Sequence, residues 1–231
     1  MVKTIIDALN FILFRIGTRL SVTGYENIKR IQGGYIIAAN HLGFLDAFLI
    51  YYLAWKYSFR KDLIVMVAEH WRNKFYLRFL VRSMNAVFID RENADFRALR
   101  EVLHRLARGG VLVVAPEGTR NPNGGLMKPK LGTAFLAAKS RLPVIPCIVL
   151  GTADKEVIQL WKRFKRPEIS FTIGNPFRLP ELDREDREAA LQNYSDEIMA
   201  QIASMLPAEL RGIYREHPRV LELSRLLESP G

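Results

Sequence analysis

The stretch AANHLGFLDAFL, residues 38–49, places His41 and Asp46 inside an otherwise apolar segment. An imidazole held against a carboxylate can act as a general base. The carboxylate takes the hydrogen of one ring nitrogen, fixes the tautomer, and leaves the other nitrogen free to accept a proton. Spacing limits how the two can meet. Five residues along one continuous helix correspond to about 500°, roughly 140° off-face, so the side chains cannot share a helix face. They meet if His41 precedes a helix and Asp46 lies in its first turns, with Gly43 easing the bend between them. The competing reading is a pair of polar core residues with satisfied hydrogen bonds.

The rest of the chain narrows the chemistry. No Gly-x-Ser-x-Gly nucleophile elbow occurs, and no His-x3-His or Cys-x2-Cys spacing supports a metal. Neither phosphate-cradling glycine pattern is found, so no metal and no cofactor are expected. A His-Asp pair without a protein nucleophile points to a substrate hydroxyl, deprotonated by His41, attacking an activated acyl group.

Positioning such a pair is a matter of strand ends. YIIAA (35–39), LIVMVA (63–68), AVFID (86–90), VLVVA (111–115), VIPCIVL (144–150) and ISFTI (169–173) read as strands. Helical patterns separate them: one after His41, one in HWRNKFYLRFLVRSM, one N-capped by Asn93 and ended by Gly109, and one over 133–141. Two more, near Asp183 and at the C-terminus, close the chain. This alternation predicts an α/β layered fold with a largely parallel central sheet flanked by helices. Sites in such sheets gather beyond the carboxyl ends of strands. His41, Arg91 and Glu117 each fall one or two residues past an expected strand end.

Two further clusters share that placement. APEGTRN (115–121) makes a tight loop through Pro116 and Gly118. Its Glu117, Thr119, Arg120 and backbone amides suit a phosphorylated acceptor. NAVFIDR ends in Arg91, whose guanidinium fork either binds phosphate or pairs with a surface carboxylate.

The chain has 231 residues and a formal net charge of +10, which favours an anionic partner: nucleic acid, a membrane surface or a phosphorylated substrate. The single Cys147 excludes an internal disulfide framework, fits a reducing compartment, and reads as a buried structural thiol. The N-terminal segment MVKTIIDALNFILFRIGTRL reads neither as a cleavable signal nor as a membrane span. Its Ile5, Leu9, Ile12 and Ile16 fall on one side of a helix, with Lys3, Arg15 and Arg19 nearby, which suits either a membrane interface or core packing. His70, His104 and His217 lack the setting of His41 and read as surface residues.

Taken together, NHLGFLD, NAVFIDR, PEGTR and LPVIPCI, spanning 40–147 in this order, resemble the glycerolipid acyltransferase family typified by 1-acylglycerol-3-phosphate (lysophosphatidic acid) acyltransferase. Lys130 and Gly132 match a Lys-x-Gly that follows the third block, and Asn85 stands where the family most often has Gly. The resemblance implies that His41 is the general base and Asp46 its orienting partner. It implies that Arg91, Glu117, Gly118, Thr119, Arg120 and Lys130 bind the glycerol-phosphate acceptor.

The implied reaction moves a fatty acyl group from acyl-CoA or acyl-ACP to the sn-2 hydroxyl of 1-acylglycerol-3-phosphate, giving phosphatidic acid in phospholipid biosynthesis. The expected partners are that thioester donor, a lysophospholipid acceptor and an anionic membrane surface, and not nucleic acid. Residues 1–22 are expected to form an amphipathic, membrane-interfacial helix ahead of an acyltransferase domain over 23–231. With the resemblance, the basic positions Lys74, Arg78 and Arg82 opposite Trp71, Phe75 and Phe79 favour a second membrane-contacting helix over a core helix with a solvated charged face. The expected location is the cytoplasmic face of a membrane, peripheral or monotopic. Two alternatives remain at this stage: another lysolipid or lipid alcohol as acceptor, or a non-catalytic basic membrane-binding module.

Overall fold

The computed structural model describes residues 2–59, 62–69, 72, 81, 86–90, 95–121, 125–182 and 186–228. Among the described residues seven strands form one sheet: β1 (Arg19–Thr23), β2 (Tyr35–Ala39), β3 (Leu63–Ala68), β4 (Val87–Ile89), β5 (Val111–Val114), β6 (Val144–Leu150) and β7 (Glu168–Ile173). Their order is β1-β7-β6-β2-β5-β3-β4. Every pairing is parallel except β6 with β7, so the largely parallel α/β sheet is present. The helices are α1 (Val2–Arg15), α2 (Glu26–Lys29), α3 (Leu45–Lys56), α4 (Phe96–Ala107), α5 (Gly132–Ser140), α6 (Asp154–Lys162), α7 (Arg187–Met205) and α8 (Pro218–Glu228).

The period-2 alternation of β2 sorts the core into two layers. Tyr35, Ile37 and Ala39 pack on one face with α1 and α3, while Ile36 and Ala38 pack on the other with α4, α5 and α7. All five residues of β2 are buried, which explains why its sequence is apolar throughout rather than alternating. Cys147 is fully buried in the first layer, and burial pushes its thiol pKa up, so it is a structural residue.

Some local expectations shift. The cap of α4 is Asp95, whose carboxylate accepts from the Ala98 amide at 2.9 Å; Asn93 lies outside the described residues. The helix expected near Asp183 begins at Arg187. Among the named strands and α-helices three are additional: β1, an edge strand parallel to β7, the short α2, and α6, an amphipathic helix between β6 and β7. Trp71, Lys74, Phe75, Arg78, Phe79 and Arg82 lie outside the described residues, as do Asn85 and His70.

Helix α1 divides its surface. Asn10 and Phe14 are buried, and Asn10 donates to the Phe48 carbonyl of α3 at 3.3 Å. Leu9, Ile12 and Ile16 are exposed; the side chains of Lys3 and Ile5 are outside the described set. The segment thus has one face packed on α3 and one exposed apolar face. Among the described residues no helix is long and apolar enough to cross a membrane.

Candidate active site

Strand β2 is central in the sheet, and His41 follows its last residue by two. The register pairs Ala38 with Val114, so His41 and Glu117 stand three residues beyond the same rung on adjacent parallel strands. Asn40 extends the ladder where the backbone leaves it. Its side chain donates to the Val149 carbonyl at 2.9 Å and accepts from the Val149 amide at 2.7 Å, an amide standing in for a peptide group. The chain is thereby pinned to β6 one residue before His41.

Asp46 is the second residue of α3, and His41 precedes that helix. His41 Nδ1 lies 2.7 Å from Asp46 Oδ2, which also accepts from the backbone amides of Leu42 at 2.9 Å and Gly43 at 3.1 Å. Three N–H groups converging on one oxygen make it an acceptor, so Nδ1 carries the hydrogen and Nε2 presents the lone pair. A carboxylate in the first turn also suits the positive end of the helix dipole. Asp46 is buried, whereas the His41 side chain keeps 29% of its surface exposed. The arrangement is an oriented, partly exposed imidazole.

Gly43 has a role other than easing the bend. A Cβ there would sit 1.9 Å from the Thr152 carbonyl oxygen and 2.8 Å from an Asp154 carboxylate oxygen. The His41 loop is packed backbone to backbone against the chain leaving β6. Asp154 completes that contact, accepting from the Phe44 amide at 2.7 Å and from Arg120 Nη1 at 3.1 Å.

The loop after β5 closes on His41 from the other side. Glu117 is 4% exposed, and its carboxylate accepts from the Met127 amide at 3.0 Å and from the His41 backbone amide. Burial raises its pKa above the usual carboxylate range, against the lowering effect of those two amides and of His41. The Asn121 amide donates to the His41 carbonyl at 3.3 Å. Gly118, with φ of 72°, takes the left-handed conformation, and the Lys130 side chain lies across it. Thr119, Arg120 and Lys130 are exposed. Arg91 lies outside the described residues; β4, which precedes it, forms the sheet edge three strands from β2. Of the other histidines, His104 is exposed. His217 is not a surface residue: it is half-buried against the Tyr214 ring, with the Pro218 start of α8 directly after it.

A family model described as Acyltransferase matches residues 19–150, more than half of the chain. The chain belongs to the acyltransferase family. Relatives include the 1-acyl-sn-glycerol-3-phosphate acyltransferase of Cocos nucifera, 26% identical over 61% of this chain and 44% of its own length. That of Borreliella burgdorferi is 25% identical over 61% of this chain and 54% of its own. That of Bacillus subtilis is 24% identical over 89% of this chain and 98% of its own. The chain spans about half the length of several of the curated relatives it matches. In fold it is similar to the crystal structure of the 1-acyl-sn-glycerophosphate acyltransferase PlsC from Thermotoga maritima, with a TM-score of 0.58 and 24% identity over 85% of this chain and 76% of that one.

The segment matched to the acyltransferase family contains His41, Asp46, Glu117 and the loop to Lys130, but stops short of Asp154. Sequence reading did not pick out Asn40 or Asp154 as positioning residues. Asn40 carried a signal, being polar and adjacent to His41 in an apolar run. Asp154 carried none, because its partners Phe44 and Arg120 are 110 and 34 residues away.

Proposed function

We propose that this chain is a 1-acylglycerol-3-phosphate O-acyltransferase, transferring a fatty acyl group from acyl-CoA or acyl-ACP to the sn-2 hydroxyl of the acceptor. The observation that carries the reading is the 2.7 Å contact between His41 Nδ1 and Asp46 Oδ2 on a partly exposed ring. Family membership and the names of the relatives support the substrate class.

In this mechanism His41 Nε2 removes the acceptor hydroxyl proton as the oxygen attacks the thioester carbon. The tetrahedral intermediate collapses by breaking the C–S bond, and the imidazolium returns its proton to the departing thiolate. Asp46 holds the ring and stabilises its transient charge. Arg91, Gly118, Thr119, Arg120 and Lys130 are assigned to the acceptor phosphate. Glu117, with its carboxylate turned to backbone amides, supports their loop from beneath.

The basic surplus draws in both anionic substrates and an anionic membrane surface, consistent with a peripheral location on the cytoplasmic face. Thiol release from acyl-CoA in the presence of lysophosphatidic acid tests the reading. His41→Ala is expected to lower the rate by about 10²- to 10⁴-fold with an unchanged unfolding midpoint. A purified His41→Ala protein acylating at the wild-type rate removes the mechanism.

A further inference from the structure

The turn between α6 and β7 is not used by the acyl-transfer site. Trp161, Lys162, Arg163, Phe164, Lys165 and Arg166 are six consecutive exposed residues, two aromatic rings among four cations. Phe164 is 99% exposed and holds φ of 55°, the left-handed region that a residue with a Cβ avoids. Folding gains nothing from a phenyl ring in that position. The turn is fastened to the end of α1: Trp161 Nε1 donates to the Gly17 carbonyl at 3.0 Å, and Arg166 Nη2 to the Arg15 carbonyl at 3.2 Å. There the exposed Leu9, Ile12 and Ile16 form an apolar stripe at i, i+3 and i+7.

We infer that this turn and the exposed stripe of α1 form one docking face for an anionic phospholipid bilayer. Phe164 and Trp161 enter the boundary between headgroups and acyl chains, and the neighbouring cations meet the headgroup phosphates. The inference deepens the membrane reading given above and rests on it. Charge decides between occupants. A second copy of the chain placed about a two-fold axis would bring four cations against their own counterparts. Acidic neighbours do not cancel them: Glu168 is paired with Arg19 at 3.1 Å, and Asp154 with Arg120. Exposed Glu156 leaves the excess positive. The placement also serves the reaction. Helix α6 has nine residues, roughly 13 Å of length, with Asp154 bracing the His41 loop at its start and the docking turn at its end.

Flotation of the full chain with vesicles of phosphatidylglycerol and phosphatidylcholine, against pure phosphatidylcholine, tests this. Wild-type protein is expected to float with the anionic vesicles and to be released by salt. Phe164→Ala should weaken vesicle binding at least fivefold, and the pair Lys162→Glu with Lys165→Glu more than tenfold. Both variants should keep wild-type turnover of a short-chain, monomeric acceptor, which reports an intact fold. Variants that float like wild type overturn the docking face and leave the membrane reading standing. A wild-type chain that floats with neither vesicle overturns both. A dimer that forms without lipid and dissociates in the variants assigns the face to a second copy and overturns the inference.

Discussion

The two ends of α6 break the usual rule of polar outside and apolar inside in opposite ways. At its start, Asp154, Asp46, Asn40 and Glu117 bring carboxylates and an amide into the packed region around His41, and each is met by backbone groups. At its end, Trp161 and Phe164 carry aromatic rings into solvent, and for Phe164 no burial compensates. A buried polar group is costly unless hydrogen-bonded, so the first end must find its partners within the chain: backbone groups meet Asn40, Asp46 Oδ2 and Glu117, and among the described residues only Asp46 Oδ1 of these three side chains is buried without one. An exposed ring costs folding little, so the second end is free to be shaped by an outside surface. Substitutions of the buried polar residues at the site end, Asp46 and Asn40, are therefore expected to disturb stability and turnover together, unlike those of the partly exposed His41. Those of Phe164 should lower neither stability nor turnover of a monomeric acceptor.

The largest combined effect is expected at Asp46. Asp46→Ala leaves the Leu42 and Gly43 amides without their acceptor and the His41 ring without orientation. Unmade hydrogen bonds of partly buried groups cost about 1–3 kcal/mol each, and an unoriented base loses about 10²-fold or more in rate. Denaturant unfolding and thiol release read the two losses. An Asp46→Ala protein that keeps its stability while losing turnover would show that the carboxylate does not hold the loop.

Asn40→Ala comes next. It removes both bonds to Val149 and should cost about 1–3 kcal/mol, with a smaller loss of turnover because the Asp46 contact survives. A turnover loss as large as that of Asp46→Ala would mean that the ladder extension, rather than the carboxylate, sets the ring position.

Glu117 gives a finer effect, visible in pH. Its folded pKa is raised, chiefly by burial, so between the ordinary carboxylate value and the raised one the folded state holds more protons than the unfolded state. Stability must then fall as pH rises across that window, with the full cost present above it. Glu117→Gln removes the ionisation and should flatten the fall, which unfolding measured from acid to neutral pH will show. An unchanged slope in the variant would assign the dependence to another group.

The contrast between the two ends also tracks what could be read in advance. The six expected strands are runs of apolar or β-branched residues, and they appear within a residue or two of where the sequence puts them. Strand β1, RLSVT, was invisible because only its inner residues are partly covered, and it gains its place by pairing with β7. The His41–Asp46 contact was legible because both partners lie within six residues of chain. The bonds from Asn40 to Val149 and from Asp154 to Phe44 cross 109 and 110 residues, and only the assembled sheet brings those partners together. Whether Arg91 joins the acceptor site is a question for activity: Arg91→Ala should raise the acceptor KM.

The smallest effect expected is also the most discriminating, because its sign opposes ordinary experience. Removing a phenyl ring from a core, as in Phe14→Ala at 3% exposure, costs about 3–5 kcal/mol. At Phe164 the ring touches solvent and the backbone is left-handed, a conformation that costs a residue with a Cβ roughly 1–2 kcal/mol. Glycine adopts it freely but loses about 0.5–1 kcal/mol more conformational entropy on folding. Phe164→Gly should therefore leave stability unchanged or raise it by up to about 1 kcal/mol, while vesicle binding falls. A thermal unfolding midpoint lowered by several degrees would mean that the ring packs on the chain itself, and the turn would then belong with the packed end of α6 rather than opposite it.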